Sequence, residues 1–259
     1  MFENNYPLFS AGRILKTEML EELRDYPREF FDIRFSEYSD GIIAGCNIDV
    51  TDNFIVVKKG IIKYEGLIYI LTEDKPIRYE NNNKLVCLKV RFLASIRDND
   101  FLKNSTEIYI DEEIEKKENE MELCRFKLRE GAGLRVHYTS FQDFATEFDT
   151  VNIINVPYAA VEGSSISPKV TRYFGRELIN LDLSDPWDIQ FASTCIQSKD
   201  PIEKSIITNY LVFKINIARK EYSNEDLYYY LEQALRKARE GNDGRGAESR
   251  GRYKRILID

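Results

Sequence analysis

One histidine, His137, and four cysteines, Cys46, Cys87, Cys124 and Cys195, are all the nitrogen and sulfur nucleophile chemistry the chain carries on those residue types. A Ser-His-Asp triad or a histidine-based zinc site would have to be built on His137 alone, and metal sites need ligands clustered at short spacing. The cysteines are far apart, form no C-x-x-C, and each lies in an apolar stretch. They are expected to be small buried hydrophobes in a reducing compartment. A Cys124–His137 pair is conceivable as nucleophile and base, but two neighbouring strand residues is the simpler reading. Phosphate-cradling and nucleophile-elbow motifs are missing: there is no G-x-x-x-x-G-K-[ST], no G-x-S-x-G and no G-x-G-x-x-G. The stretch "DNDFLKNSTEIYIDEE" resembles a calcium loop, but puts Leu102 and Lys103 where an oxygen ligand and the turn glycine belong. The acidic run from Asp111 to Glu122 is interrupted by Lys116, Lys117 and Asn119 and reads as a solvated loop. Asn104-Ser105-Thr106 is a glycosylation sequon, which has no meaning without a secretion signal. With 44 acidic residues, a glycosidase-like pair flanking a cleft is open on paper, yet no pair is singled out. The expectation is therefore no catalytic residue, no cofactor and no metal.

The bulk numbers agree with an ordinary globular chain. Its 259 residues allow one large domain or two small ones, and a chain of this length needs no disulfide staples. Hydrophobic residues make up 43% and charged residues 31%. A net charge of −7 argues against a chain-wide nucleic-acid footprint, which is normally basic. No apolar run approaches the roughly 18 residues of a membrane helix. The opening "MFENNYPLFSAGRILK" lacks a basic segment followed by an apolar core, so no signal peptide is expected, and folding in a cytoplasm is.

The elements that would position these residues follow from periodicity. "SAGRILKTEMLEELRDYP" predicts a helix capped by Ser10 and stopped by Pro27, with Ile14, Leu15, Met19, Leu20 and Leu23 on one face. Next, turn signals at Asp40-Gly41, Thr51-Asp52-Asn53, Lys59-Gly60 and Glu65-Gly66 punctuate "NIDV", "FIVVKK", "IIKY" and "LIYIL". Short strands at such spacing predict an antiparallel meander, with Gly41, Gly45, Gly60 and Gly66 as structural turn or close-approach positions. In "KLVCLKVRFLASIRD", Val86, Leu88, Val90, Phe92, Ala94 and Ile96 alternate with Lys89, Arg91, Ser95 and Arg97, the pattern of a strand buried on one face. "TEIYIDEE", "ELCRFKLRE" and "TVNIINVPYAAVE" read as further strands.

After Gly163-Ser164-Ser165 the period changes. Ser167-Pro168, Asp185-Pro186 and Asp200-Pro201 each set an N-cap residue before a proline at the first helical position, with Glu203 as a capping-box partner for Asp200. A last helix opens at Ser223 and Asp226, carries Leu227, Tyr230, Leu231, Ala234, Leu235 and Ala238 on one stripe, and is expected to end at Gly241. "SIITNYLVFKINIA", apolar nearly all round, is expected to be the central helix of a four-helix bundle. The fold class predicted is α+β: an antiparallel β-sandwich or open barrel with an N-terminal helix, then a helical bundle. Four parts are expected: residues 1–38, an arm and helix; 39–162, a β-rich docking domain, as one or two modules; 163–241, the bundle; and 242–259, a basic tail. That tail sets Arg245, Arg250, Arg252, Lys254 and Arg255 against Asp243, Glu248 and Asp259, and its glycines deny it a core of its own.

"YSDGIIAGCNIDVTDNFIVVKKGIIKYEGLIYIL" resembles the N-terminal part of a baseplate protein family of contractile phage tails and phage-tail-like bacteriocins of Gram-positive bacteria. The resemblance rests on "DGIIAG" followed by "GIIKYEGLIY", on "YPLFSAGRILKTEMLEELRDYP" upstream, and on "ELCRFKLREGAGLR" and "FATEFDTVNIINVPYA" downstream. It covers most of residues 5–162. It implies a structural role, joining the baseplate to receptor-binding fibres or completing its periphery, with no catalytic residues. It further implies other baseplate and tail-fibre proteins as partners, several copies per particle or a homo-oligomer, and neither membrane nor nucleic acid. The location implied is the host cytoplasm during assembly and then the particle. The alternative is a nucleic-acid-binding or regulatory protein acting through the basic tail.

Within that tail, Arg250, Arg252, Tyr253, Lys254, Arg255, Ile256, Leu257 and Ile258 are the candidate partner-binding residues, expected to order only on a neighbouring subunit, for instance as an added strand. Deleting residues 242–259 is expected to leave the melting temperature of the lone protein almost unchanged while lowering its incorporation into particles. Undiminished assembly of the truncated chain would reduce the segment to a spare terminus.

Overall fold

The computed structural model describes residues 3–181 and 183–248, with side chains to residue 240. It is an α+β molecule: an N-terminal helix, antiparallel sheets that do not close into a barrel, and C-terminal helices. Helix α1 spans Thr17–Arg34. It starts later than Ser10 because Ser10 closes a turn with Arg13 (3.2 Å) and Gly12 takes a left-handed φ of 81°, which no helix start tolerates. It also runs through Pro27 instead of stopping there. Proline leaves the Leu23 carbonyl without its donor, but no residue of α1 is buried, so water can satisfy it.

Eleven strands follow. β1 (Gly41–Gly45), β4 (Gly60–Tyr64) and β5 (Leu67–Leu71) form one antiparallel sheet in the order β1-β4-β5. β2 (Ile48–Thr51), β3 (Phe54–Val57) and β6 (Lys75–Arg78) form a second, in the order β2-β3-β6. The expected single meander is thus two interleaved sheets, because the chain turns away from β3 at Lys58-Lys59 and pairs β4 with β1. The β4–β5 hairpin turns on Glu65 (φ 47°) and Gly66 (φ 76°), the twin positive φ values of a two-residue turn matched to strand twist. Pro76 sits on the edge strand β6, where a missing amide costs no ladder bond.

The third sheet has the order β10-β7-β11, from β7 (Leu85–Phe92), β10 (Thr106–Asp111) and β11 (Glu120–Lys127). Here the period-two pattern is incomplete as a guide. β7 ends at Phe92, and Ile96 lies in a separate exposed ribbon of β8 (Ile96–Arg97) and β9 (Leu102–Lys103). Between Val86 and Val90 every residue is buried, Lys89 included, because this central strand is covered on both faces. A bulge at Glu122/Cys124 places an extra residue in β11, so Leu123 and Cys124 are buried side by side. The acidic run is accordingly a solvated loop only in part: Glu120 and Glu122 belong to β11 and are buried.

Residues 150–162, read as a strand, form only isolated bridges, Arg125 to Asn152, Ile42 to Tyr158, Tyr38 to Val161 among them. Pro157 lacks a donor, Asp149 adopts φ 58°, and the Asn152 side chain takes the Ile154 amide (2.8 Å), so no ladder propagates. The stretch is buried nonetheless, with Val151, Ile154, Val156, Ala159 and Ala160 all in the core.

Among the described residues the helices that follow are α2 (Pro168–Ile179), α3 (Pro186–Gln197), α4 (Lys204–Ile215) and α5 (Asn224–Glu248). Ser167 and Asp185 cap α2 and α3 as expected, accepting from Lys169 N (3.3 Å) and Trp187 N (3.0 Å). α4 begins at Lys204, not at Asp200-Pro201, with Glu203 at the N-cap and no side-chain cap bond. Nor is α4 the central helix: Ile206 and Phe213 are exposed, and α2 instead contacts both α3 and α5. Ser223 and Asp226 form a reciprocal capping box at α5, the Asp226 amide donating to Ser223 Oγ (3.0 Å) and the Ser223 amide to Asp226 (3.1 Å). α5 then passes Gly241 and continues to Glu248, since a single glycine costs a helix only about 1 kcal/mol. The apolar cluster is continuous from Ile42 to Ala238, so sheets and helices share one core.

β1 and β4 approach each other unusually closely. A Cβ at Gly60 would lie 2.3 Å from both N and Sγ of Cys46, and one at Gly45 would lie 2.2 Å from the Lys59 carbonyl oxygen. Gly60→Ala is expected to lower stability by at least about 1–3 kcal/mol, the usual cost of overpacking, as read from the urea midpoint. An unchanged midpoint would show that the two strands can separate freely.

Candidate functional site

The four thiols are structurally withdrawn. All four cysteines are buried and unpaired. Burial pushes the Cys46 thiol up to about 11 and that of Cys87 up to about 12, and raises Cys124 and Cys195 further. Thiols so placed are protonated and inert at neutral pH. His137 is exposed on a loop rather than in a strand, its carbonyl accepting from Arg135 Nη1 (2.7 Å). It forms no hydrogen bond with Cys124. In the calcium-like stretch, Asp98 accepts the amides of Asp100 (2.9 Å) and Phe101 (2.7 Å) and pairs with Lys103 (2.5 Å), which makes it a turn closed by a lysine. Among the described residues no group of three His, Cys, Asp or Glu side chains could hold a metal ion.

Buried charge includes Lys63 in β4, Glu122 paired with Arg125 within β11 (2.7 Å), and three further clusters. The largest cluster lies across the β10-β7-β11 sheet. Lys89 Nζ, fully buried, donates to the Glu115 carbonyl (2.7 Å), Asp111 (3.1 Å) and Glu120 (3.3 Å). Glu120 also accepts from the Tyr109 hydroxyl (2.6 Å), Arg91 Nη2 (3.0 Å) and the Lys117 amide (3.2 Å). Burial raises the Glu120 carboxyl, but Tyr109, Lys117, Arg91 and Lys89 outweigh it and bring the pKa down to about 2. Burial and the neighbouring Glu120 push Tyr109 up to about 12.

The second cluster joins two helices: Asp188 accepts from the Tyr210 hydroxyl (2.9 Å) and pairs with Lys214, which also reaches Asp185 (3.4 Å). The third is Asp143, held by Arg135, the Thr139 amide (2.8 Å) and Thr146 Oγ1 (3.0 Å), with Arg135 the main cause of its lowered pKa. Every carboxylate in these clusters is engaged by its own chain. None faces another across an open cleft, as a hydrolytic pair must.

Open apolar surface lies elsewhere. A groove of about 510 Å³ is lined by β5, by Thr106 and Ile108 of β10, by Leu102, and by Arg28 and Phe31 of α1. β5 and β10 are both outer strands of their sheets, so the groove is flanked by two open edges. Two aromatic rings line it, Tyr69 and Phe92, which meet edge-on at 5.1 Å, and Tyr64 stacks on Phe92 from outside the lining at 3.8 Å between ring centres. Around it Leu67, Ile70, Ile96, Phe101 and Leu102 are exposed.

Of the residues singled out from sequence, Gly41 and Gly45 bound β1, Gly60 opens β4 and Gly66 lies in the hairpin turn beside the groove. The segment containing Arg250, Arg252, Tyr253, Lys254, Arg255, Ile256, Leu257 and Ile258 lies outside the described residues. Sequence reasoning missed the groove and the Glu120 cluster. The signal for the cluster was present, since Lys89, Arg91, Glu120 and Glu122 sit inside otherwise apolar strands.

Glu120 ties stability to pH through its lowered pKa. Its folded pKa, about 2, lies below its ordinary 4.5. Its contribution is therefore complete above about pH 4.5 and is lost as pH falls toward 2, to the extent of about 3 kcal/mol. Glu120→Gln is expected to lower stability at pH 7 by about 3–5 kcal/mol, because it leaves Lys89 under-compensated, and to flatten the acid limb of stability measured by urea unfolding. An equally steep acid limb in the variant would assign it to other carboxylates.

No protein-family model matches the chain, and no curated protein does. Solved structures do match. A crystal structure of TssK aligns at 9% identity with a TM-score of 0.43, covering 92% of this chain and 72% of that one. A chain of the cryo-electron microscopy structure of the type VI secretion system TssK-TssF-TssG baseplate subcomplex aligns at 8% identity with a TM-score of 0.40, covering 90% of this chain and all of that one.

Proposed function

We propose that the protein is a non-catalytic structural component of a contractile-tail baseplate, docking other baseplate or fibre proteins through the groove between β5 and β10. The observation that carries this reading is the open edge of β5. It presents Leu67 and Ile70 to solvent beside a groove lined by Tyr69 and Phe92, and an apolar unpaired edge is a template for an added strand. Two further features support it. The strands that carry the sequence resemblance, from Gly41 to Leu71, are those that build one wall of the groove. The four thiols are buried, and the buried carboxylates Glu120, Glu122, Asp143 and Asp188 are each paired with a basic side chain of the chain itself. In this reading the chain assembles in the host cytoplasm and then resides in the particle. The nucleic-acid alternative drew on the basic segment outside the described residues.

Ile70→Lys places a charge on the edge without touching the core, and charged edge residues block strand addition. It is expected to leave the melting temperature within a degree or two of the wild type and to prevent incorporation into tail particles, as judged by the protein composition of purified particles. Normal incorporation would remove the β5 edge from the proposal. Reproducible hydrolase activity abolished by one carboxylate substitution would overturn the non-catalytic reading altogether.

A further inference from the structure

We infer that α1 is a self-association element, pairing in parallel with α1 of a second copy of this chain. This goes beyond the docking groove, to which α1 contributes only its other side, through Arg28 and Phe31. α1 is 18 residues long and contains no buried residue. Most helices in proteins draw their stability from packing an apolar face and not from propensity alone. α1 has such a face. Met19, Leu23, Tyr26, Phe30 and Ile33 follow one another at spacings of four, three, four and three residues, the alternation of a two-stranded coiled-coil seam. Leu23 is 50% exposed, Tyr26 53%, Phe30 60% and Ile33 76%. The opposite side carries Phe31, which lines the groove. The seam therefore points away from the protein's own core.

The C-terminal end of α1 is fixed to the body. Lys63, buried in β4, donates to the carbonyls of Phe35 (2.6 Å), Ser36 (3.2 Å) and Tyr38 (2.7 Å) just beyond the helix. A cation at that end complements the helix dipole and anchors it. The helix is thus held at one end, with Leu23, Tyr26, Phe30 and Ile33 of its seam open to solvent.

The flanking charges select both occupant and direction. In the register set by the seam, Glu22 and Glu29 precede its Leu23 and Phe30, while Arg34 follows Ile33. A parallel partner brings Glu29 of one copy opposite Arg34 of the other, five residues on, which is the interhelical ion pair of parallel coiled coils. An antiparallel partner would instead set glutamate against glutamate. Both Glu29 and Arg34 are exposed. The face therefore matches a second copy of itself, in one direction.

The experiment uses the full chain. Sedimentation equilibrium is expected to show reversible self-association, and Phe30→Glu to weaken it by about 100-fold or more with no change in the melting temperature of the monomer. Glu29→Lys and Arg34→Glu should each weaken association alone, and an equimolar mixture of the two variants should restore it. Direction is read by a mild-oxidation crosslink. Ile33→Cys pairs with itself in the parallel arrangement, whereas an antiparallel pair centred on Tyr26 holds the two positions about 20 Å apart. A wild-type chain that stays monomeric up to about 100 μM, or an oligomer indifferent to Phe30→Glu, would overturn the proposal. Association that responds to Phe30→Glu but gives no Ile33→Cys crosslink would overturn the parallel arrangement.

Discussion

Phe141 is the residue on which the two halves of the molecule close. Its ring meets Phe174 of α2 edge-on at 5.5 Å and stacks on Tyr228 of α5 at 4.6 Å. Its carbonyl accepts the Tyr228 hydroxyl (2.7 Å), and its amide donates to Glu177 of α2. From Phe174 the aromatic contacts continue to Phe191 and Tyr210, and so through α3 to α4. On the other side, Tyr138 stacks on Phe144 and bonds the Val151 carbonyl (2.7 Å), while Arg125 and Asn152 exchange backbone bonds between β11 and this segment. Residues 128–166 have almost no regular structure, yet they are the layer through which sheets and helices share a core. A strandless segment can be buried only if its amides and carbonyls find partners, and here side chains such as Tyr228, Tyr138 and Glu177 provide them.

The buried charges are best understood as devices of register. A buried ion pair contributes little net stability over a well-packed apolar substitute, because desolvation offsets the attraction. Lys89 on β7, however, can meet Asp111 on β10 and Glu120 on β11 only in the observed pairing. A one-residue slip would turn Lys89 to the opposite face and leave three charges unpaired. Asp188, Tyr210 and Lys214 do the same for α3 against α4. These clusters favour one arrangement by penalising the others.

What was legible in the sequence was whatever depended on neighbours in the chain. The caps at Ser167, Asp185 and Ser223, the α5 stripe, the hairpin at Glu65-Gly66 and most strand positions follow from local backbone chemistry. What was not legible depended on distant partners. The pairing of β4 with β1 and not β3 is settled by the Gly45–Gly60 approach. The exposure of Phe213 depends on which face of α4 meets α5. The burial of Lys89 and Glu120 depends on a third strand brought in across the sheet. Gly12 overrode the expected helix start through a φ that no periodicity reveals. The groove was invisible for the same reason, since its walls come from elements more than thirty residues apart.

Asn224, at the start of α5, donates through Nδ2 to the carbonyls of Val156 (3.1 Å) and Ser165 (3.3 Å), contacts that span 68 and 59 residues of chain. The Tyr228 bond to Phe141 spans 87. During synthesis, then, the sheets leave the ribosome well before the helix that seals the layer beneath them. The N-terminal two-thirds must wait with its inner layer unclosed and its strand edges bare, the condition in which nascent chains aggregate or recruit chaperones. Contacts of such separation also make for slow folding. α5, translated after every strand it helps to cover, is the helix that closes this layer, so the native packing of residues 128–166 waits until α5 has left the ribosome.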